Sequence, residues 1–199
     1  ADEELDLTSV TYAAADNFVI VAGFTPTGGT MVSHTLWSGT SHKVVVTSPT
    51  TISVDMGGST NTITGPTLAP QTGCDVYNIT LRRSNGICQL FVAGVPWGPS
   101  FAYVGTVNIT TLGGGNVGLA GKLFNFMQFD RALTDKEIWC LDCYLCGDDT
   151  SGEPTSCRID WDLLDCNGDT DGSLTATMLG ATGTVTAAAK GRASIEGAQ

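Results

Sequence analysis

Asp75-Val76-Tyr77-Asn78-Ile79-Thr80-Leu81-Arg82-Arg83, then Ser84-Asn85-Gly86, then Ile87-Cys88-Gln89-Leu90-Phe91-Val92-Ala93, reads as two strands joined by a tight turn. Asn-Gly suits the centre of that turn because both central residues of a type I′ turn need a positive φ. With Asn85 and Gly86 as the central pair, Ile79 faces Val92, Leu81 faces Leu90 and Arg83 faces Cys88. The two-residue period then puts Tyr77, Ile79, Leu81, Leu90 and Val92 on a core face, with Asn78, Arg82 and Gln89 pointing outward. Cys88 falls near the end of the core face and reads as a buried thiol. Cys74 is expected opposite Trp97, so a Cys74–Cys88 disulfide would not cross this hairpin directly.

Outward from the hairpin, short apolar or β-branched runs alternate with Gly, Pro, Asn and Ser punctuation. The expected strands are Leu7–Tyr12, Asn17–Phe24, Thr30–Trp37, Lys43–Thr47, Thr51–Asp55, Asp75–Arg83, Ile87–Ala93, Tyr103–Thr110 and Val117–Phe129. Their even spacing predicts an all-β fold, an antiparallel jelly-roll β-sandwich. The 199 residues suffice for one such domain with an appendix, and 25 glycines with abundant Thr fit sheets and turns. One short helix is expected at Thr134-Asp135-Lys136-Glu137, a capping box in which Thr134 and Glu137 satisfy each other's amides. Ile138 and Leu141 give it an apolar stripe toward the sandwich, with Trp139 near its edge.

The net charge is −11, which repels phosphate backbones and anionic membranes, so neither nucleic acid nor a membrane surface is expected as a partner. No run approaches the ~20 apolar residues that span a bilayer. Ala1-Asp2-Glu3-Glu4 is not a cationic, apolar signal peptide, and removal of an initiator Met before the small Ala1 is the expected origin of this end. Glu occurs only at positions 3, 4, 137, 153 and 196, which weakens any chemistry that needs neighbouring glutamates.

Gly121-Lys122-Leu123-Phe124-Asn125-Phe126-Met127-Gln128-Phe129-Asp130-Arg131-Ala132-Leu133-Thr134-Asp135-Lys136-Glu137-Ile138 resembles the closing signature of laminin-G-like domains, which belong to the concanavalin A-like lectin/glucanase jelly rolls. Asn17–Phe24 is similar to that family's early core strand. Asn78–Ala93 is similar to its strand-turn-strand hairpin, with Ala93 where the family has Asn. The likeness spans roughly residues 7–142. It implies two stacked antiparallel sheets and a role in binding sugars, proteins or cell surfaces. Some relatives hydrolyse β-glucans with closely spaced acids; no Glu-x-Asp-x-x-Glu run occurs here and no strand holds two Glu, so the chain is read as a non-enzyme. The family's opening strand and Asp-rich turn are absent from this amino terminus. A similar pattern stands at Ile159–Leu164 and Asn167–Leu174, as a circular rearrangement or a strand donated to a neighbour.

Asp165, Asn167, Asp169 and Asp171, with Gly172, space oxygen donors as a calcium loop does, although Met178 stands where an EF-hand has its bidentate acid. The competing reading is an acidic β-turn. Cys140, Cys143, Cys146, Cys157 and Cys166 form a dense cluster whose spacing permits zinc but suits disulfides pinning the intervening loop better. His34 and His42 flank Trp37–Ser41 without a Gly-x-Ser-x-Gly nucleophile, so they read as strand and loop residues. Trp37, Trp97 and Tyr103 are the candidates for stacking on a sugar ring, with core or rim packing the commoner fate of such aromatics. Gly113–Asn116 precedes a strand and lacks Lys-Ser/Thr, so it is no phosphate loop. Asn78-Ile79-Thr80 and Asn108-Ile109-Thr110 are glycosylation sequons.

These features predict a sandwich over residues 1–142, a Cys/Asp-rich extension over 143–180 and an assembly-contacting tail over 181–199. The expected function is a structural or recognition module on an assembly, foremost a phage or virus capsid decoration protein that is homo-oligomeric and sits on the virion surface or outside the cell. The alternative is a lectin-like module that binds glycans through loops at one sandwich edge, with calcium as its candidate cofactor.

Overall fold

The computed structural model describes residues 4–26, 31, 33–70, 74–113, 121–145 and 175–176. In chain order they form β1 (Glu4–Tyr12), β2 (Phe18–Pro26), β3 (His34–Gly39), β4 (His42–Ser48), β5 (Thr51–Met56), β6 (Ser59–Thr64), β7 (Tyr77–Ser84), β8 (Ile87–Val92), β9 (Val95–Ala102), β10 (Val107–Gly113), β11 (Gly121–Phe129), α1 (Asp135–Leu145) and β12 (Thr175–Ala176). The strands build two six-stranded antiparallel sheets, ordered β1-β10-β3-β4-β5-β6 and β12-β11-β2-β7-β8-β9. They stack face to face as a jelly-roll sandwich.

The hairpin takes the expected register: Ile79 pairs with Val92, Leu81 with Leu90 and Arg83 with Cys88. Asn85 and Gly86 both have positive φ, 50° and 77°, as the turn requires. Between the sheets, Phe18, Ile20, Ala22 and Phe24 of β2 meet Leu36, Trp37, Val44, Val46, Ile52 and Val54 in one core cluster. Cys88 is fully buried in that cluster as a thiol.

The opposite face of the second sheet is not free. Ile138 and Leu141 of α1 cover Val19, Val21, Phe91, Met127 and Phe129. The capping box forms as expected: the Thr134 amide donates to Glu137 Oε2 at 2.7 Å, and the Glu137 amide donates to Thr134 Oγ1 at 3.2 Å. Asn78, Arg82 and Gln89 face away from the inter-sheet core as expected, but not into open solvent. Asn78 is 2% exposed beneath α1, and the half-buried Arg82 lies over the Phe91 ring while donating to the Leu133 carbonyl and to Asp135. Gln89 is also half-buried, donating to the carbonyls of Leu90, Trp97 and Gly98.

Two strands were not expected. β6 is Ser/Thr/Asn-rich with one buried apolar residue, Ile63, and β9 contains Pro96, Gly98 and Pro99. Both are sheet edges, where polar residues and proline cost little. The tight turn at Ala93-Gly94, both of positive φ, seats Trp97 opposite Leu90, not opposite Cys74, and a bulge follows between Leu90 and Cys88. β10 starts at Val107 rather than Tyr103, because the carbonyls of Gly105 and Thr106 are drawn into side-chain hydrogen bonds with Arg83 and Tyr103. Helix α1 runs past the expected boundary at 142 to Leu145. Of the stretch 159–176, Thr175 and Ala176 pair with Gln128 and Met127 of the same chain; residues 159–174 and the tail 181–199 lie outside the described residues.

Candidate functional site

In the first sheet, alternation sends Val44, Val54 and Ile63 inward and therefore aims Lys43, Asp55 and Thr60 outward. The register continues through Ser38, which pairs with Lys43, and Thr111, which pairs with Ser38. Ser38 Oγ and Thr111 Oγ1 are 2.5 Å apart, so the two hydroxyls share one hydrogen bond on this outer face. A cleft of about 300 Å³ opens here, lined by Ser38, Lys43, Asp55 and Thr60 from four adjacent strands and by the turns around Thr40, Ser41 and Gly58. It sits on the sheet face that α1 does not cover.

Asp55 Oδ1 is buried and has no hydrogen-bond partner. A solvent-shielded acceptor in that state is costly unless something donates to it. Lys43 is the cross-strand neighbour of Asp55 in the register, yet the ion pairs among the described residues are Arg82–Asp135 and Arg131–Glu137. The cleft therefore offers a cation and an acceptor on adjacent strands, with hydroxyls at Ser38 and Thr60.

His42 lines the same cleft but is committed to the fold. Its Nδ1 accepts from the Asn108 amide at 3.4 Å, so Nε2 carries the proton and donates to Tyr103 Oη at 3.0 Å. Tyr103 Oη in turn donates to the Thr106 carbonyl at 3.0 Å. Burial pushes the His42 pKa below the ordinary histidine value; the Thr106 carbonyl opposes this and the nearby Arg83 charge adds to it. A neutral imidazole with both nitrogens engaged is a pin for the rim, not a base. Two glycines let the rim close. A Cβ at Gly39 would collide with the Asn108 carbonyl, and one at Gly57, whose φ is +60°, would lie 2.9 Å from Tyr103 Oη.

A second set of buried polar groups lies under α1. Asn125 Nδ2 donates to Asn78 Oδ1 at 3.5 Å, and Asn78 bonds Asp142, which is 4% exposed. Burial pushes the Asp142 carboxyl up to about 6, against the Asn78 hydrogen bond, and its Oδ2 has no partner.

The expected stacking aromatics do not form a platform. Trp37 is 2% exposed with its ring 6.2 Å from that of Phe126, and Trp97 is 4% exposed with Nε1 donating to the Pro66 carbonyl. Both fill the space between the sheets, so neither has a face for a sugar. Tyr103 is half-buried at the cleft rim beneath Gly57. Cys140 is buried on α1 and Cys143 is half-buried on its next turn, whereas Cys146, Cys157, Cys166 and the calcium candidates Asp165, Asn167, Asp169 and Asp171 lie outside the described residues. Among the described residues no three His, Cys, Asp or Glu side chains converge as metal ligands, and no helix is long and apolar enough to cross a membrane. Both sequons are engaged: Asn78 is buried, and Asn108 Nδ2 donates to Ser9 Oγ at 2.5 Å and Thr11 Oγ1 at 3.0 Å. Lys43, Asp55, Ser38 and Thr60 were not singled out by sequence reasoning. The signal was present in Thr51–Met56, where alternation leaves Asp55 as the one outward carboxylate.

The sequence matches no family model, and no curated protein matches it. Among solved structures, the chain is similar to domain 4 of an extracellular arabinanase from Geobacillus stearothermophilus, solved in complex with arabinotriose. That match has 14% identity and a TM-score of 0.52 and covers 71% of each chain. It is also similar to a heptameric pentraxin from Limulus polyphemus, at 16% identity and TM-score 0.47, covering 66% of this chain and 72% of that one. A third match, a carbohydrate binding protein from Bacteroides ovatus described as putative in its own naming, has 14% identity and TM-score 0.46. It covers 67% of this chain and 44% of that one, so this chain spans under half of that protein. The likeness to the arabinanase domain is one of fold, an antiparallel β-sandwich of two stacked sheets.

Proposed function

We propose that this chain is a recognition module of laminin-G-like type that binds a saccharide in the cleft of Ser38, Lys43, Asp55 and Thr60, without turning it over. The observation that carries the reading is the buried, unpartnered Asp55 Oδ1 beside Lys43. A sugar hydroxyl both donates and accepts, so one hydroxyl or a vicinal pair satisfies the carboxylate and the ammonium together. The arabinanase domain of similar fold was solved in complex with arabinotriose, which makes arabino-oligosaccharides the first ligands to try. Glycoside hydrolysis uses a pair of carboxylates, and Asp55 is the one carboxylate lining the cleft among the described residues.

Titration calorimetry with arabino- and cello-oligosaccharides tests the reading. Asp55→Asn keeps the shape and removes the charged acceptor, and the expected loss is about tenfold or more in affinity. Undiminished binding in Asp55→Asn would move the site elsewhere. Calcium at Asp165–Asp171 is a separate part of the proposal, read by whether EDTA weakens the same titration. Display on a virion or another extracellular assembly is the larger-scale version of the reading. It predicts that removal of residues 181–199 lowers occupancy on the parent particle and that the native mass is that of an oligomer.

A further inference from the structure

Resting on the saccharide reading, we infer that the ligand is a linear, neutral glycan lying across the strands of the first sheet, in contact with a polar row that the cleft only begins. The pairings run without a break in phase across six strands: Asp6 of β1 with Thr111, Thr111 with Ser38, Ser38 with Lys43, Lys43 with Asp55, and Asp55 with Thr60 of β6. Paired residues of antiparallel strands place their side chains on the same face, so all six share the outer face. The hydroxyl contact between Ser38 and Thr111 demonstrates this directly for the middle of the row.

Every member of the row is a hydrogen-bonding side chain and none is sealed from solvent. Neighbouring strands lie ~4.8 Å apart, so the row is ~24 Å long. That spacing is about the advance of one sugar unit in a linear chain, which lets successive units meet successive strands. The next row contrasts with this one. Its members on β3 and β4, Thr35 and Val45, are buried, and it offers accessible hydroxyls only at Ser53 and Thr62, so the line from Asp6 to Thr60 is the longer polar track. The row carries two carboxylates and one ammonium on a chain of net charge −11, so a neutral glycan fits it and a polyuronate does not.

The test is chain-length dependence, measured by calorimetry with arabino- and cello-oligosaccharides of two to six units and with oligogalacturonates of the same lengths. We expect affinity for one neutral series to rise about tenfold or more from dimer to hexamer, and the galacturonates to stay silent. Asp6→Ala is on an exposed edge outside the cleft, and it is expected to lower hexamer affinity about threefold to tenfold while leaving the dimer unchanged. Thr111→Val is isosteric but removes the hydroxyl bonded to the cleft residue Ser38, so it is read on the hexamer alone, where a loss of about threefold to tenfold is expected. Circular dichroism confirms that each variant is folded. Equal affinity for dimer and hexamer, with Thr111→Val silent, overturns the row and leaves the cleft reading standing. Tight binding of the galacturonates overturns the neutral-glycan assignment. If no oligosaccharide binds, the row and the saccharide reading beneath it both fall.

Discussion

Arg83 holds its guanidinium 4.7 Å from the centroid of the Phe18 ring, at the closed end of the sandwich. The side chain is fully buried, and it donates to the carbonyls of Asp16 and Gly105 at 2.5 Å each and to that of Ala13 at 2.7 Å. One side chain thus ties the turn after β1 to the loop before β10, the same loop that holds Tyr103 and His42 at the cleft rim. Arg83→Met fills the space but leaves three carbonyls without donors. It is expected to cost about 3–5 kcal/mol in urea unfolding. A cost below ~1 kcal/mol would mean that water replaces the guanidinium.

The His42–Tyr103 contact gives a graded version of the same test. Tyr103→Phe strips the hydroxyl that accepts from His42 and donates to Thr106. The expected loss is about 1–2 kcal/mol, read as a lowered Tm, with saccharide affinity reduced less than in Asp55→Asn. An unchanged Tm would show that the rim is not held by this pair.

Two buried groups make stability depend on pH with opposite signs. The folded pKa of His42 lies below its unfolded value, so its contribution is complete above about pH 6.5 and is lost as pH falls toward the folded value. The folded pKa of Asp142 is raised from 3.8 to about 6, so it destabilises the native state above that value and relieves the penalty as pH falls from about 6 to 4. Asp142→Asn removes the second effect. It is expected to gain about 2–3 kcal/mol at pH 7.5 and nothing at pH 4, by denaturant titration at the two pH values. A gain equal at both would reflect packing and not ionisation.

Cys88 offers a chemical readout of the core. Burial pushes its thiol up to about 12, against the pull of the Arg83 charge, and the side chain is sealed among core residues. Since the thiolate is the reactive form, Cys88 is expected to resist iodoacetamide at pH 8 in the native state and to react in denaturant, as peptide mapping would show. Labelling of Cys88 in the native protein would reveal local opening of β8.

The β7–β8 hairpin is readable from the sequence because Asn85-Gly86 fixes the turn and a two-residue period then fixes every pairing. Helix α1 is readable from Thr134 and Glu137 for the same local reason. β6 and β9 are not, because edge strands lack the apolar alternation that marks a strand with a buried face, and Pro96 and Pro99 argue against one. The burial of Asn78 is equally hidden: it depends on α1, some sixty residues away, folding back over the sheet. The polar cleft depends on register between four strands, so Ser38, Lys43, Asp55 and Thr60 look like ordinary outward residues until the pairings are known. Trp37 and Trp97 mislead in the other direction, since a large aromatic suits both a binding platform and the space between two sheets.

Helix α1 seals one broad face of the sandwich and leaves the other carrying Asp55. The module accordingly has a back and a front. On the saccharide reading, a scaffold, bead or fusion partner attached through the exposed turns of α1 would hold the cleft away from its support and leave it open to ligand. Attachment through Lys43 would bury the front against the support and leave the same protein folded but silent.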